Sequence, residues 1–355
     1  MENPVKILLD SGANAFCAGQ TISGKVKCTF ANDEIIRAIK VSYIGSAKTK
    51  WLANVGKAQR PFWAEEIYFD EEHILVQGNE ENQFRLTAGT YTYPFSYRLP
   101  QEIPTSFSDR CGSVQYKIIV VVDRPWMSNY QDEHLLFVIS PLDLNLLPVR
   151  DPFSKSVEET LRWCCYNAGE ITFTVSLPVT GYAADQQINI GSYVQNMSNV
   201  NIAAVQYEII RTNEYSADNP WKNKRYFKYT LANCTTGSIE AHVEKSWTSS
   251  MKIPVKNILN LLSCNIMNAS HHLEAKVILP FPYPYLKITC PITLGTIPLT
   301  GIETSLPGPP THSNSSAVST SRNLDILEGS TLAGSPLQSY GESIPHSSEM
   351  KMNRI

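Results

Sequence analysis

The chain has 355 residues, 43% of them hydrophobic, with 30 Lys and Arg against 33 Asp and Glu and a formal net charge of -3. That length exceeds one ordinary core and fits two domains with further chain beyond them. The near-balanced charge and the absence of a long basic run lack the electrostatic footprint of a nucleic-acid binder, so no nucleic acid is expected as partner. Nowhere do eighteen uncharged apolar residues run together, so no membrane-spanning helix is expected.

The first residues, Met1 to Lys6, lead into a strand-like Val5 to Leu9 without the apolar centre of a signal peptide. The expectation is a soluble protein made in the cytosol, its eight cysteines kept as free thiols. Sequons such as Asn196-Met197-Ser198 then carry no glycan. Lys25 and Lys27 share one face of the next strand. From Ile36 to Trp51, residues Ile39, Val41, Tyr43, Ala47 and Trp51 share a face, and Lys40, Lys48 and Lys50 occupy the other. The alternation fades between Pro61 and Gln77, which reads as loop and edge structure.

Thr90 to Leu99 and Ser113 to Val122 carry the clearest pattern. Tyr91, Tyr93, Phe95, Tyr97 and Leu99 face one way in the first, and Val114, Tyr116, Ile118, Val120 and Val122 in the second. Each strand therefore lies on a core with one face, the usual habit of antiparallel sheets. Leu147 to Pro152 holds two prolines and reads as a hinge, and Ser154 to Trp163 as a short helical connector. Strands resume at Glu170 to Leu177, Ala204 to Arg211, Leu273 to Leu279 and Leu286 to Leu294. From Gly301 onward Ser, Thr, Pro and Gly dominate, so little apolar area can offset the entropy of ordering, and a disordered tail is expected.

Gly89 to Phe95, Leu99-Pro100, Ile103 to Phe107 and Gly112 to Tyr116 resemble the N-terminal half of an arrestin fold, in the version found in the arrestin-domain-containing group, the alpha-arrestins. Gly19 to Val26, Pro141 to Asn145, Cys164-Cys165 and Leu294 to Leu299 extend the resemblance, in order, over residues 5 to 300. The expected fold is all-β: two arrestin-like antiparallel sandwiches, at 1–148 and 166–300, joined by a hinge at 149–165 and followed by a disordered tail at 301–355.

The resemblance implies a non-catalytic adaptor that links membrane-protein cargo to endocytic, ubiquitin-linked trafficking and signalling. It would be cytoplasmic, with peripheral association at the plasma membrane or endosomes. An arrestin-fold coat or cargo-scaffold subunit that recruits no ubiquitin ligase is the alternative. Cargo contact is expected through a basic sheet surface, here Lys25, Lys27, Lys40, Lys48 and Lys50, which form one patch if their strands are neighbours. They would pair with acidic or phosphorylated cytosolic segments of membrane proteins. Charged outer faces also simply keep sheets soluble. Alpha-arrestins typically dock WW domains of ubiquitin ligases through Pro-Pro-x-Tyr, yet Pro309-Pro310-Thr311-His312 has His where Tyr is needed, which puts direct docking in doubt. One branch binds thioredoxin through a cysteine three residues before a Trp. Glu244 takes that place before Trp247, so thioredoxin is not carried over.

No phosphate-cradling glycine loop, Gly-x-Ser-x-Gly or His-Glu-x-x-His occurs, which disfavours an enzyme, and no cofactor is expected. His271-His272 lacks convergent ligands for a metal. Cys164 and Cys165 read either as small packing residues or as reversible acylation sites at a membrane-facing hinge. Leu324 to Glu328 is a poor clathrin-box match, because Asp325 sits where that motif wants an apolar residue.

Overall fold

The structure is a computed structural model that describes residues 3–12, 14–78, 83–164, 166–254 and 260–301. The chain divides into two compact units, Met1–Pro310 and Thr311–Ile355. The second unit and the expected tail beyond Gly301, with Pro309-Pro310-Thr311-His312 and Leu324 to Glu328, lie outside the described residues, as does Cys165.

The first unit is built from strands that form two sandwiches. The N-terminal one contains β1 (Val5–Leu9), β2 (Ala15–Cys17), β3 (Thr21–Phe30), β4 (Glu34–Ile36), β5 (Ala38–Val55), β6 (Ala58–Gln77), β7 (Phe84–Leu86), β8 (Gly89–Arg98), β9 (Phe107–Asp109), β10 (Gly112–Asp123) and β11 (Tyr130–Ile139). Its sheets run β1-β3-β8 and β2-β11-β10-β5-β6, with β9 on β10 and β4 on β7. The C-terminal sandwich contains β12 (Phe153–Trp163), β13 (Tyr166–Leu177), β14 (Gly181–Ala183), β15 (Gln187–Asn196), β16 (Ala204–Ala217), β17 (Asn223–Thr235), β18 (Val243–Lys252), β19 (Met267–Ile278) and β20 (Leu286–Gly295). Its sheets run β12-β13-β15-β18 and β14-β20-β19-β16-β17. Pairing is antiparallel except β2 on β11 and β14 on β20.

Alternation explains the layers. In β3 every second residue from Ile22 to Phe30 is buried and the intervening ones face solvent. Ile171, Phe173, Val175 and Leu177 of β13 are fully buried, each stabilising the sandwich by roughly 1.5–3 kcal/mol. Two expectations need correction. Pro61 to Gln77 is not loop but most of β6, a 20-residue edge strand. Ser154 to Trp163 is not helical but lies in β12, paired with β13 along its length. Both are edge strands with one sheet neighbour, and their outward residues do not alternate cleanly.

The sandwiches also share a core. On β16 the residues Val205, Tyr207 and Ile209 pack into the C-terminal core, whereas Tyr215 and Ala217 join the N-terminal cluster with Leu261, Cys264, Ile266 and Met267. Gly112 sits where the two bodies meet: a Cβ there would lie 2.4 Å from Met267 Sδ and 3.0 Å from the Tyr215 ring. Only a residue without a side chain lets β10 approach β16 and β19 this closely. The connecting segment is latched too, since Asn145 Nδ2 donates to the Pro298 carbonyl at 2.9 Å and Arg150 Nη1 to the Thr300 carbonyl at 3.0 Å.

Candidate functional site

The five lysines fall into two sets on different sheets. Lys25 and Lys27 lie exposed on β3 of the three-stranded sheet, while Lys40, Lys48 and Lys50 point outward from β5 in the other sheet. Because β3 and β5 are not neighbours, the condition for one continuous patch is not met. A strand's own period assigns a face, but it does not say which sheet that face belongs to.

The sets also differ in charge balance. β5 pairs with β6, whose residues 65–72 hold Glu65, Glu66, Asp70, Glu71 and Glu72. Lys48 Nζ lies 2.9 Å from Glu65 Oε1, and Lys40 Nζ lies 2.9 Å from Glu72 Oε1. Such surface pairs add at most about 1 kcal/mol each, yet they cancel the local field. Lys25 and Lys27 make no ion pair among the described residues. Register instead places Lys27 opposite Lys6 of β1 and Lys25 opposite Leu8. Like charges directly opposite each other disfavour a strand pair, so this sheet carries a cationic pair that pairing alone would select against.

A cavity of about 260 Å³ opens beside that pair, lined by Asn3, Pro4, Lys6, Lys27 and Thr29. The Lys27 ammonium and the Thr29 hydroxyl suit a carboxylate or phosphate group, whereas Lys6 is itself engaged and the Asn3 amide bonds the Gln131 carbonyl and the Val5 N–H. β1 is the outer strand of its sheet, and its Ile7 N–H donates to Asp132 Oδ2 at 2.7 Å. Sequence reading missed Lys6, because its place beside Lys27 is a matter of register. The periodicity of Lys25 and Lys27 was the available signal.

A second polar centre ties the two sandwiches together and has no signature in the sequence. Asp109, at the end of β9, accepts hydrogen bonds from Tyr215 Oη at 2.6 Å, Tyr229 Oη at 2.8 Å and Asn213 Nδ2 at 3.2 Å, all from the C-terminal sandwich. The Arg110 N–H adds a fourth at 2.7 Å. Burial works against the Asp109 charge, but these donors outweigh it and hold the carboxyl below its ordinary range. Arg211, buried nearby with its guanidinium over the Tyr229 ring at 5.1 Å, is drawn down by desolvation and back up by Asp109.

Cys164 is exposed, at the turn between β12 and β13, in the left-handed region with φ 51°. His271 is buried, while His272 Nε2 lies 3.3 Å from Glu274 Oε1. Among the described residues no group of three or more His, Cys, Asp or Glu is placed to hold a metal ion.

Residues 5–145 match the family model for the arrestin (or S-antigen) N-terminal domain, and residues 167–299 match that for its C-terminal domain. Two such sandwiches define the class, an arrestin-fold protein. The chain belongs to the arrestin family, among the arrestin-domain-containing proteins or alpha-arrestins. It is 26% identical over 309 residues to Arrestin domain-containing protein 17 of Caenorhabditis elegans, covering 82% of this chain and 70% of that protein. With Arrestin domain-containing protein 4 of Mus musculus it shares 25% over 301 residues, covering 82% and 71%. With Arrestin domain-containing protein 1 of Homo sapiens it shares 24% over 295 residues, covering 82% and 64%.

Proposed function

We propose that this protein is a non-catalytic adaptor in membrane-protein trafficking, one that holds acidic or phosphorylated cytosolic segments of its cargo on the exposed face of the β1-β3-β8 sheet. Family membership supports the adaptor role. The observation that carries the choice of surface is that Lys25 and Lys27, on one face of β3, make no ion pair among the described residues, and that a cavity lined by Lys27 and Thr29 opens beside them. An extended acidic segment would lay its carboxylates or phosphates along these lysines, and its affinity would fall with salt. The β5 lysines are a weaker candidate, since Glu65 and Glu72 already occupy two of them. Ligase docking through a Pro-Pro-x-Tyr anchor is not part of the reading, because His312 stands where the tyrosine would.

Lys25→Glu with Lys27→Glu should weaken binding of a synthetic acidic phosphopeptide by about tenfold or more, the scale of two charge-assisted hydrogen bonds. Lys48→Glu should change it little. Isothermal titration at low and high salt reads both. Equal losses at the two sites would mean that net charge, and not this surface, governs binding.

A further inference from the structure

β6 ends the run β2-β11-β10-β5-β6, so one of its edges carries backbone N–H and C=O groups that β5 does not take. That edge is closed near one end. Trp63 N–H donates to the Asn219 carbonyl of the β16–β17 hairpin at 3.0 Å, and Asn219 N–H donates back to the Trp63 carbonyl at 3.1 Å. Close by, Asn265 N–H and Nδ2 hold the Glu66 carboxylate at 2.8 and 2.6 Å. Over residues 67–76 no strand pairs with this edge among the described residues. That stretch runs for about 30 Å.

Its side chains fall into two rows. Asp70, Glu72 and Ile74 point outward, with Ile74 49% and Ile67 61% exposed. Glu72 is paired with Lys40, while Asp70 makes no ion pair among the described residues. Glu71 and His73 point the other way, into the open side of the sandwich between β6 and β8. Tyr97 Oη donates to Glu71 Oε1 at 3.1 Å, and the His73 ring stands edge-on to Tyr43 at 5.2 Å. Tyr43, opposite Glu71 in the β5–β6 register, is 1% exposed and stacks on Tyr97 at 4.2 Å. Its hydroxyl has no hydrogen-bond partner among the described residues, which is costly for a buried group.

Charges on an edge strand ordinarily guard it against stray pairing. An acidic guard is selective, because it repels acidic strands, a second copy of itself included, and admits a basic one. We propose that the edge of β6 at residues 67–76 receives an extended basic segment of a partner protein as an added strand. Backbone pairing holds such a segment, and alternate side chains select it. Its outward row sets an apolar residue against Ile74 and Arg or Lys against Glu72 and Asp70. Its inward row brings a donor to Glu71 and a partner to the Tyr43 hydroxyl. This edge takes cations, whereas the β3 lysines take anions, so the two readings stand or fall separately.

The test titrates the full chain into the capped peptide Thr-Ile-Thr-Arg-Gln-Arg-Val-Thr, carrying a fluorophore and read by anisotropy. Laid antiparallel to β6, the peptide sets Ile against Ile74 and its Arg residues against Glu72 and Asp70. Wild type should bind it, and more weakly as salt rises. Asp70→Lys with Glu72→Lys should lower the affinity by about tenfold or more, and should bind instead the same peptide with Glu in place of Arg. N-methylation of alternate peptide residues should abolish binding in one phase and spare it in the other, since only one set of N–H groups faces β6. Lys25→Glu with Lys27→Glu should not lower the peptide affinity. Circular dichroism checks that the charge-swapped variant folds, and the N-methyl comparison needs no variant at all. Absence of binding by wild type overturns the proposal, as does an affinity indifferent to the charge swap. Equal binding in the two methylation phases, or equal loss, would mean that the peptide does not join the sheet, and would overturn it too. A dimer in sedimentation velocity that the charge swap disrupts would assign the edge to a second copy, against the proposal.

Discussion

Asp109→Ala is expected to lower the unfolding free energy by about 3 kcal/mol and to loosen the joint between the sandwiches. Its carboxylate accepts from Tyr215, Tyr229, Asn213 and the Arg110 backbone. Hydrogen bonds to a charged group contribute about 1.5–3 kcal/mol, and a buried donor left unmade costs a further 1–3 kcal/mol. Tyr215 is fully buried, and without Asp109 its hydroxyl keeps only the bond it accepts from Asn213 Nδ2 at 3.1 Å. Asp109→Asn should cost less, since an amide keeps the shape and one acceptor but loses the charge. A helpful contrast is Tyr229→Phe, which deletes one donor while sparing the buried Tyr215 bond. Urea melts of the three variants should rank them Ala, then Asn, then Phe in severity, and proteolysis between the sandwiches should accelerate in the same order. Were Asp109→Ala to melt like wild type with unchanged cleavage, shared apolar packing alone would hold the joint. The carboxyl is held below its ordinary range, so its contribution is present above the unfolded-state value of 3.8 and is lost as pH falls through the lower folded-state value.

The joint also shows where sequence reading stops. Central strands were legible, because a strand buried on one face imposes period two: Val114 to Val122 and Ile171 to Leu177 turn inward as their alternation requires. Two edge strands, β6 and β12, were not, although the edge strands β1 and β8 were. In β12 only Leu161 is buried, and in β6 the acidic run at 65–72 answers the lysines of β5 rather than a core. A strand whose neighbours supply charge in place of apolar cover has no reason to alternate. Contacts that depend on register were beyond reach for a different reason. Asp109 meets residues 104 to 120 positions away, and Lys6 meets Lys27 only because β1 turns back on β3. The Trp163 and Phe281 rings, 6.0 Å apart centroid to centroid, were equally out of reach, because their adjacency comes from two hairpins ending at the same level.

Between pH 6.5 and about 4 the protein is expected to lose stability through His271, by about 2 kcal/mol already at pH 5 and about 3 kcal/mol in full. His271 lies on β19 opposite Arg211 of β16, and its Nε2 has no hydrogen-bond partner among the described residues. Burial disfavours the imidazolium first, and the neighbouring Arg211 and His272 add like charge, so its pKa is pushed down from 6.5 to about 4. Glu274 engages His272, and Asp109, which also acts on Arg211, engages the tyrosines. Neither neutralises a proton placed on His271. In the unfolded chain the same imidazole takes up its proton near pH 6.5, so the unfolded state binds more protons throughout this window. Stability therefore falls as pH falls, and above the window His271 contributes no pH dependence. His271→Leu removes the ionisable group and leaves an apolar side chain where the nitrogen was unpartnered. Its unfolding free energy should be close to wild type at neutral pH and should flatten the curve between pH 6.5 and 4, leaving the acid loss of Asp109 below it. Parallel urea titrations at pH 7 and pH 5 decide the matter, because an equal drop in variant and wild type would place the sensitivity in some other group.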